Sequence, residues 1–460
     1  MTDNGPLSAV SPLDGRYAGY TEPLQPYASE QALVGARVEV EIEYLLALAD
    51  LDVTPVSIVG SDREQLREVY HEFGHEDAQR VKQLETEGDE SRPATNHDVK
   101  AVEYFIRDHL PPGVGGEWVH FGLTSEDVTN IAYRLLLGPA VETVLGPRLR
   151  SLREELTAMA RAHRDTPMLA RTHGQSATPT TFGKEFAVYA SRLGRATAAL
   201  DQAVEGLSGK LAGASGTYAA HAAAYPGVDW PTFAREFVEG LGLEHEPLTT
   251  QVNPCDDLAA LFDALRRVNQ VLLDLALDCW LYISDGYLGQ ETVAGETGSS
   301  TMPHKVNPID FENCEGNLSK ANSDLTFLGE YLTNSRLQRD LSDSTVKRNI
   351  GAALAHCLLG YRKLEGGLEK VVPNEQVMRE DLESTPEILG EAVQTILRRE
   401  GHEDAYERVK SLTRGQEVTL ADFRDLFREL DVSADVREEL LALTPAGYTG
   451  LADELVDSLR

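Results

Sequence analysis

The chain has 460 residues, 42% of them hydrophobic, and carries 75 acidic against 42 basic side chains, a formal net charge of −33. That length suffices to bury a substantial core, divided among roughly two to four domains. Nucleic acid and anionic membrane surfaces both select positive charge, so a balance this negative argues against either as a partner.

The N-terminal stretch MTDNGPLSAVSPLDGRY has no basic region and no apolar core, and does not read as a signal peptide. At 95–105, TNHDVKAVEYF reads as a helix start. Asn96 is the expected N-cap, with His97, Asp98 and Lys100 in the first turn. Capping with charge complementarity explains the cluster, and so does an anionic ligand held at a positive helix end. PPGVGGE, 111–117, is a Pro/Gly break. HFGLTSEDVTN, 120–130, places Thr124 and Ser125 before an acidic helix start, a capping pattern that can also bond a ligand.

From here apolar residues step by three and four. Leu149, Leu152, Leu156 and Met159 form the first stripe, and Phe182, Phe186, Tyr189, Leu193, Ala196, Leu200, Ala203 and Leu207 the second. Leu258, Leu261, Leu265, Val268, Leu272, Leu275, Cys279 and Tyr282 make the third. Leu318, Ala321, Leu325, Leu328 and Leu332 follow, then Leu354, Cys357, Tyr361, Leu364 and Leu368. Such stripes are the buried faces of long helices, and their number implies a helical bundle. Faces this extensive also point to oligomerisation. The segment 271–283 is the most apolar helix, but Asp274 and Asp278 interrupt it, so no membrane span is expected.

Polar segments punctuate the stripes. RTHGQSATPTTFGKE, 171–185, carries His173 just ahead of a helix expected to start near Thr180. Histidine titrates near neutrality and can donate a proton to a leaving group, though a lone His is more often structural or simply exposed. SGKLAGASG, 208–216, lacks the spacing of a phosphate loop and is discounted. Residues 213–225 and the segments around Pro226 and Pro247 read as loops or short hairpins. GSSTMPHKVNPIDFEN, 298–313, packs hydroxyls, a Lys and an Asn ahead of a Leu-rich helix. It reads as a surface loop or as a catalytic one, where turn amides and a Lys would stabilise an alkoxide. SRLQRDLSDSTVKRN, 335–349, gathers Arg336, Arg339, Lys347 and Arg348 in a chain short of cations. Arg pairs bidentately with phosphate and carboxylate, although a solvated helix face fits too. A second break falls at VVPN, 371–374. The expected domains are therefore helical N-terminal 1–117, a central bundle 118–370 and helical C-terminal 371–460.

About 10 of the basic residues are Lys and about 32 are Arg, so the strongly hydrated ammonium group is scarce. The acidic excess runs along the whole chain. It fits a generally acidic soluble protein, or a surface adapted to high salt, where screening relieves self-repulsion. Cys255, Cys279, Cys314 and Cys357 are widely separated, with no C-x-x-C. That excludes a zinc ribbon and disfavours a disulfide framework, so a reducing cytoplasm is expected.

The segment GSSTMPHKVNP, 298–308, resembles the signature loop of the fumarase/aspartase superfamily, GSSxMPxKxNP. Together with SPLDGRY, TNHDVKAVEYF, HFGLTSED, RTHGQSATPTTFGKE and SRLQRDLSDSTVKRN, it makes the chain resemble the adenylosuccinate lyase family, from about Ser11 to the tail at 444–450. The resemblance implies an all-α, three-domain fumarase/aspartase-like fold with a central long-helix bundle. It implies a homotetramer whose active sites draw on three subunits, with no metal or organic cofactor. The implied reaction is anti β-elimination of fumarate from the small-molecule substrates adenylosuccinate, giving AMP, and SAICAR, giving AICAR. Ser299 would be the base and His173 the acid. Lys305 and Asn307 would stabilise the carbanion-like intermediate, and Ser300 would bind it. Arg16, Tyr17, Asn96, His97, Asp98, Thr124, Ser125, Gln251, Asn313, Arg339, Ser344 and Arg348 would hold the rest of the substrate. Argininosuccinate lyase or another fumarate-releasing lyase of the superfamily, or a catalytically silent structural relative, are the alternatives. TNHDVK and SRLQRDLSDST speak against the first, and retention of Ser299 and His173 against the second.

Overall fold

A computed structural model describes residues 6–291, 302, 305–413 and 418–459. Ser299 and Ser300 lie outside the described residues. The chain divides into two compact units. The first takes the described residues up to Leu149 with Ala196–Gln270 and Gly316–Arg362; the second takes the described parts of Arg150–Arg195, Val271–Glu315 and Lys363–Arg460.

In the first unit the helix Glu30–Ala49 begins at Ser29, whose hydroxyl accepts from the Ala32 amide at 3.1 Å. Its Val38, Ile42, Leu45 and Leu46 are buried against Leu66, Leu84, Val102 and Phe105. These come from the helices Ser61–His71, His75–Thr86 and Asp98–Asp108. The helix Asp98–Asp108 starts one residue later than its sequence suggests. His97 is the N-cap, its Nδ1 accepting from the Lys100 amide at 3.2 Å. Asn96 instead takes a left-handed backbone, φ 49°, a conformation that Asn tolerates better than most residues.

The helix Ser125–Ala140 carries polar side chains into the interior of this unit. Glu126, Asp127, Asn130 and Arg134 are all buried. Asn130 and Asp127 pin residues 208–213. Asn130 exchanges bonds of 2.8 Å with the backbone of Lys210, and Asp127 accepts from the amides of Ala212 at 2.9 Å and Gly213 at 3.1 Å. The Lys210 ammonium lies 2.6 Å from the Asp127 carboxylate with neither side chain exposed. This explains why a Gly/Lys segment that superficially suggests phosphate binding has no free cation to offer. Lys210→Met is expected to cost about 3 kcal/mol in urea denaturation, because it strands a buried carboxylate. A loss under about 1 kcal/mol, the worth of a surface pair, would show the pairing to be dispensable.

The apolar stripes are largely interior, with Met159, Ala196, Ala203 and Tyr282 half-buried. Every residue of the stripe from Leu258 to Cys279 is buried, as are all of those from Leu318 to Leu332 and from Leu354 to Leu368. They belong to the helices Asp256–Ser284, Ile309–Leu332 and Ile350–Leu368. Among the described residues no helix is long and apolar enough to cross a membrane. All four cysteines are buried and free.

In the second unit the strands Pro167–Thr172 and Gln175–Thr181 form an antiparallel hairpin, followed by the helix Phe182–Glu205. The helix starts two residues after the expected Thr180, because 175–181 pairs as a strand. A Cβ on Gly183 would collide with the Ala160 carbonyl and the Arg164 backbone, which is why this helical position is glycine. The C-terminal helices close over their own core of Leu389, Val393, Leu397, Phe423 and Phe427.

Candidate active site

In the first unit a polar recess is lined by His97, Asp98, Ser125, Arg339, Ser344 and Arg348, among others. Three helix starts build it. Asp98 opens one helix, Ser125 opens another behind Thr124, and Ser344 lies in the helix Ser342–Lys347. Thr124 is the N-cap, its amide donating to Asp127 Oδ2 at 2.9 Å.

The recess is electrically paired. Arg37 donates to Asp98 at 3.0 Å, and Arg348 reaches the same carboxylate oxygen at 3.4 Å and Glu30 at 2.8 Å. Glu126 accepts from Lys347 at 2.9 Å and from Arg339 at 3.1 Å, and Lys347 also reaches Asp343 at 2.8 Å. Burial opposes ionisation of Asp98, but Arg37 and the Val99 amide outweigh it and hold the carboxyl below the usual range. Burial likewise opposes the charge on Glu126, and Lys347 with Arg339 again prevails, so its carboxyl is held down. Burial disfavours the Lys347 ammonium, yet Glu126 and Asp343 outweigh it and raise its pKa. Arg37, Arg339, Lys347 and Arg348 thus face Glu30, Asp98, Glu126 and Asp343, cation for carboxylate. An incoming anion must compete with these carboxylates or bring the guanidinium groups into shared bonds.

The remaining expected residues of this unit do not line the recess. The Arg16 guanidinium lies 5.9 Å from the Tyr17 ring centre, and Gln251 donates to the Ala214 carbonyl at 2.8 Å. Asn96 supplies the left-handed step into the Asp98 helix.

In the second unit His173 sits at the exposed turn of the hairpin, with φ 54°. Lys305 is exposed, its amide donating to the Met302 carbonyl at 3.1 Å, and Asn307 follows it. Asn313 lies in the first turns of the helix Ile309–Leu332, donating back to the Ile309 carbonyl at 2.8 Å. The start of this helix is fixed by Asp310, which Lys363 and Lys370 grip at 3.0 Å and 2.9 Å.

Sequence reasoning missed Arg37, Glu126 and Asp310, and noted Lys347 without assigning it to a site. Arg37 gives the clearest signal, since an Arg among Val34, Ala36 and Val38 on a buried helix needs a carboxylate partner.

The comparisons with known proteins agree with one another. The Lyase family model matches residues 15–322, and the model of the adenylosuccinate lyase C-terminal region matches 335–449. Adenylosuccinate lyase of Dictyostelium discoideum is 44% identical over 459 residues, covering 97% of this chain and 97% of its own. That of Escherichia coli strain K12 is 43% identical over 460 residues, covering 99% of each. Among solved structures, a fumarate lyase from Mesorhizobium sp. BNC1 superposes with a TM-score of 0.76 at 22% identity, covering 95% of this chain and 97% of that one. The 3-carboxy-cis,cis-muconate lactonizing enzyme of Pseudomonas putida gives 0.75 at 22% identity, covering 96% and 97%. The two structures share the helical fold, and the near-full-length identities go further: this chain belongs to the adenylosuccinate lyase family.

Proposed function

We propose that the chain cleaves the C–N bond of adenylosuccinate to AMP and fumarate, and that of SAICAR to AICAR and fumarate. The observation that carries this reading is the identity of 42–44% to adenylosuccinate lyases over nearly the whole chain. In the proposed elimination, Ser299 takes a proton from the succinyl carbon next to a carboxylate. The electron pair left there is delocalised into that carboxylate, near Lys305 and Asn307. It then forms the fumarate double bond as the C–N bond breaks, and His173 protonates the departing nitrogen. Acid and base on opposite faces satisfy the anti geometry, each worth roughly 10²–10⁴ in rate. Ser300 and Asn313 bind the succinyl group. The recess of His97, Asp98, Ser125, Arg339, Ser344 and Arg348, together with Arg16, Tyr17, Asn96, Thr124 and Gln251 outside it, holds the nucleotide phosphate, base and succinyl carboxylates. Arg supports this by its bidentate fit to phosphate and carboxylate.

The working form in this reading is a cytoplasmic homotetramer with shared sites, built from the three domains 1–117, 118–370 and 371–460. Its acidic surface is suited to high salt. Incubating the purified chain with adenylosuccinate and following fumarate tests the activity directly. Failure with adenylosuccinate but turnover of argininosuccinate would overturn the reading.

The charge of −33 repels a polyanionic substrate at long range, and the recess cations are already matched by carboxylates. Salt screens the first effect, with a Debye length of about 10 Å at 0.1 M. The expected result is that kcat/KM rises with KCl over a moderate range before levelling. A monotonic fall from the lowest salt upward would contradict it.

A further inference from the structure

We infer that Arg171, held by the Asp381 carboxylate that Tyr287 also donates to, is a positioning residue that aims His173 at the departing nitrogen. The inference rests on the reading of His173 as the acid. Thr172 pairs with Gln175, so His173 and Gly174 alone make the turn, with φ of 54° and 72°. A two-residue hairpin turn of this hand requires the left-handed region at both positions. Glycine adopts it freely, whereas histidine does so only when its surroundings hold it there.

Among the described residues of this chain, little else holds this tip. Residues 171–176 are all exposed. Further down, Leu169 is buried with Leu382 and Ile388, but the strand register slips between Leu169 and Arg171. The regular ladder that fixes the base is therefore interrupted before it reaches the turn. Beyond the slip, Arg171 bridges to other elements. Its Nη2 donates to Asp381 Oδ2 at 2.8 Å, its Nε lies 3.7 Å from Asp285, and the Tyr287 hydroxyl donates to the same Asp381 oxygen. Among the described residues, Arg171 makes the one side-chain hydrogen bond from 171–176 to another element. Asp381 lies on the helix Glu375–Glu383 and Tyr287 just before the strand Leu288–Gln290, so a second element braces the carboxylate that holds the guanidinium. Arg171 and Asp381 are 37% and 27% exposed, so the clamp is not a core feature whose loss would unfold the unit.

The test measures kcat and KM for Arg171→Met, Asp381→Asn and the double variant, with guanidinium ion added to Arg171→Ala. Each single variant should lose about 10- to 100-fold in kcat with KM within about 2-fold, since a misplacement of about 1 Å suffices for such a loss. The double variant should be no worse than the singles, because both cut the same clamp. Guanidinium should restore part of the Arg171→Ala rate, which a merely structural defect would not allow. Wild-type kcat in Arg171→Met while His173→Asn is inactive would overturn the inference and leave the role of His173 standing. A raised KM at unchanged kcat would make Arg171 a substrate contact and overturn it as well. Full activity of His173→Asn would remove the role of His173 and the inference with it. If Arg171→Met unfolds, Asp381→Asn and the guanidinium rescue decide the matter.

Discussion

His173→Asn is expected to lower kcat by roughly 10²–10⁴ while leaving thermal stability nearly unchanged. The choice of asparagine follows from the turn. Position 173 has φ 54°, and Asn is among the few side chains that tolerate this region. The variant therefore keeps the backbone and removes only the proposed proton donor. His173→Ala would remove the same proton but strain the turn, mixing two effects. Because residue 173 is exposed, its side chain contributes little packing to the unit, and a drop in Tm of more than a few degrees would mean that the backbone had moved. The partner experiment is Ser299→Ala, with a loss of similar size expected. If His173→Asn retains wild-type kcat with adenylosuccinate, the departing nitrogen takes its proton from elsewhere.

The helical frame was legible because its signal is periodic. Leu258, Leu261, Leu265 and Leu272 repeat at helical spacing, and all are fully buried. The hairpin 167–181 was not, because its buried positions are few. Met168 and Leu169 are adjacent rather than alternating, the register slips beside them, and the second strand is mostly Thr, Ser and Pro. At the candidate site, Asp98, Arg339 and Arg348 stood out because they lie in polar segments between stripes. Glu126 did not, because a carboxylate in the first turn of a helix reads as ordinary dipole complementarity. Only the fold shows that this carboxylate meets Lys347 and Arg339, more than two hundred positions away in the chain. Asn96 and His97 show the same limit at one residue's scale. Either can cap a helix, and the backbone angle at 96 decides between them.

That long-range pairing makes Lys347→Met the substitution expected to cost most in stability, about 3–5 kcal/mol by chemical denaturation. Lys347 and Glu126 are each 2% exposed, so the methionine would leave Glu126 buried with Arg339 as its main cationic partner and Asp343 with none of its ammonium contact. The pH dependence gives an independent check. The Glu126 carboxyl is held below its ordinary 4.5 in the folded chain, against burial, by Lys347 first and Arg339 second. A depressed carboxyl contributes stability that is present above pH 4.5 and lost as pH falls through the folded value. Removing Lys347 takes away the larger opposing influence, so burial then raises the carboxyl and acid unfolding should begin at higher pH than in the wild type. Glu126→Gln in the Lys347→Met background should recover part of the loss, since a neutral amide in that position no longer requires a cation. Recovery would also free Arg339 from Glu126, and a lower KM in the double variant would identify that guanidinium as one the substrate competes for. An acid-unfolding curve for Lys347→Met that coincides with the wild type would mean that Arg339 alone satisfies Glu126, and that the lysine serves the recess in some other way.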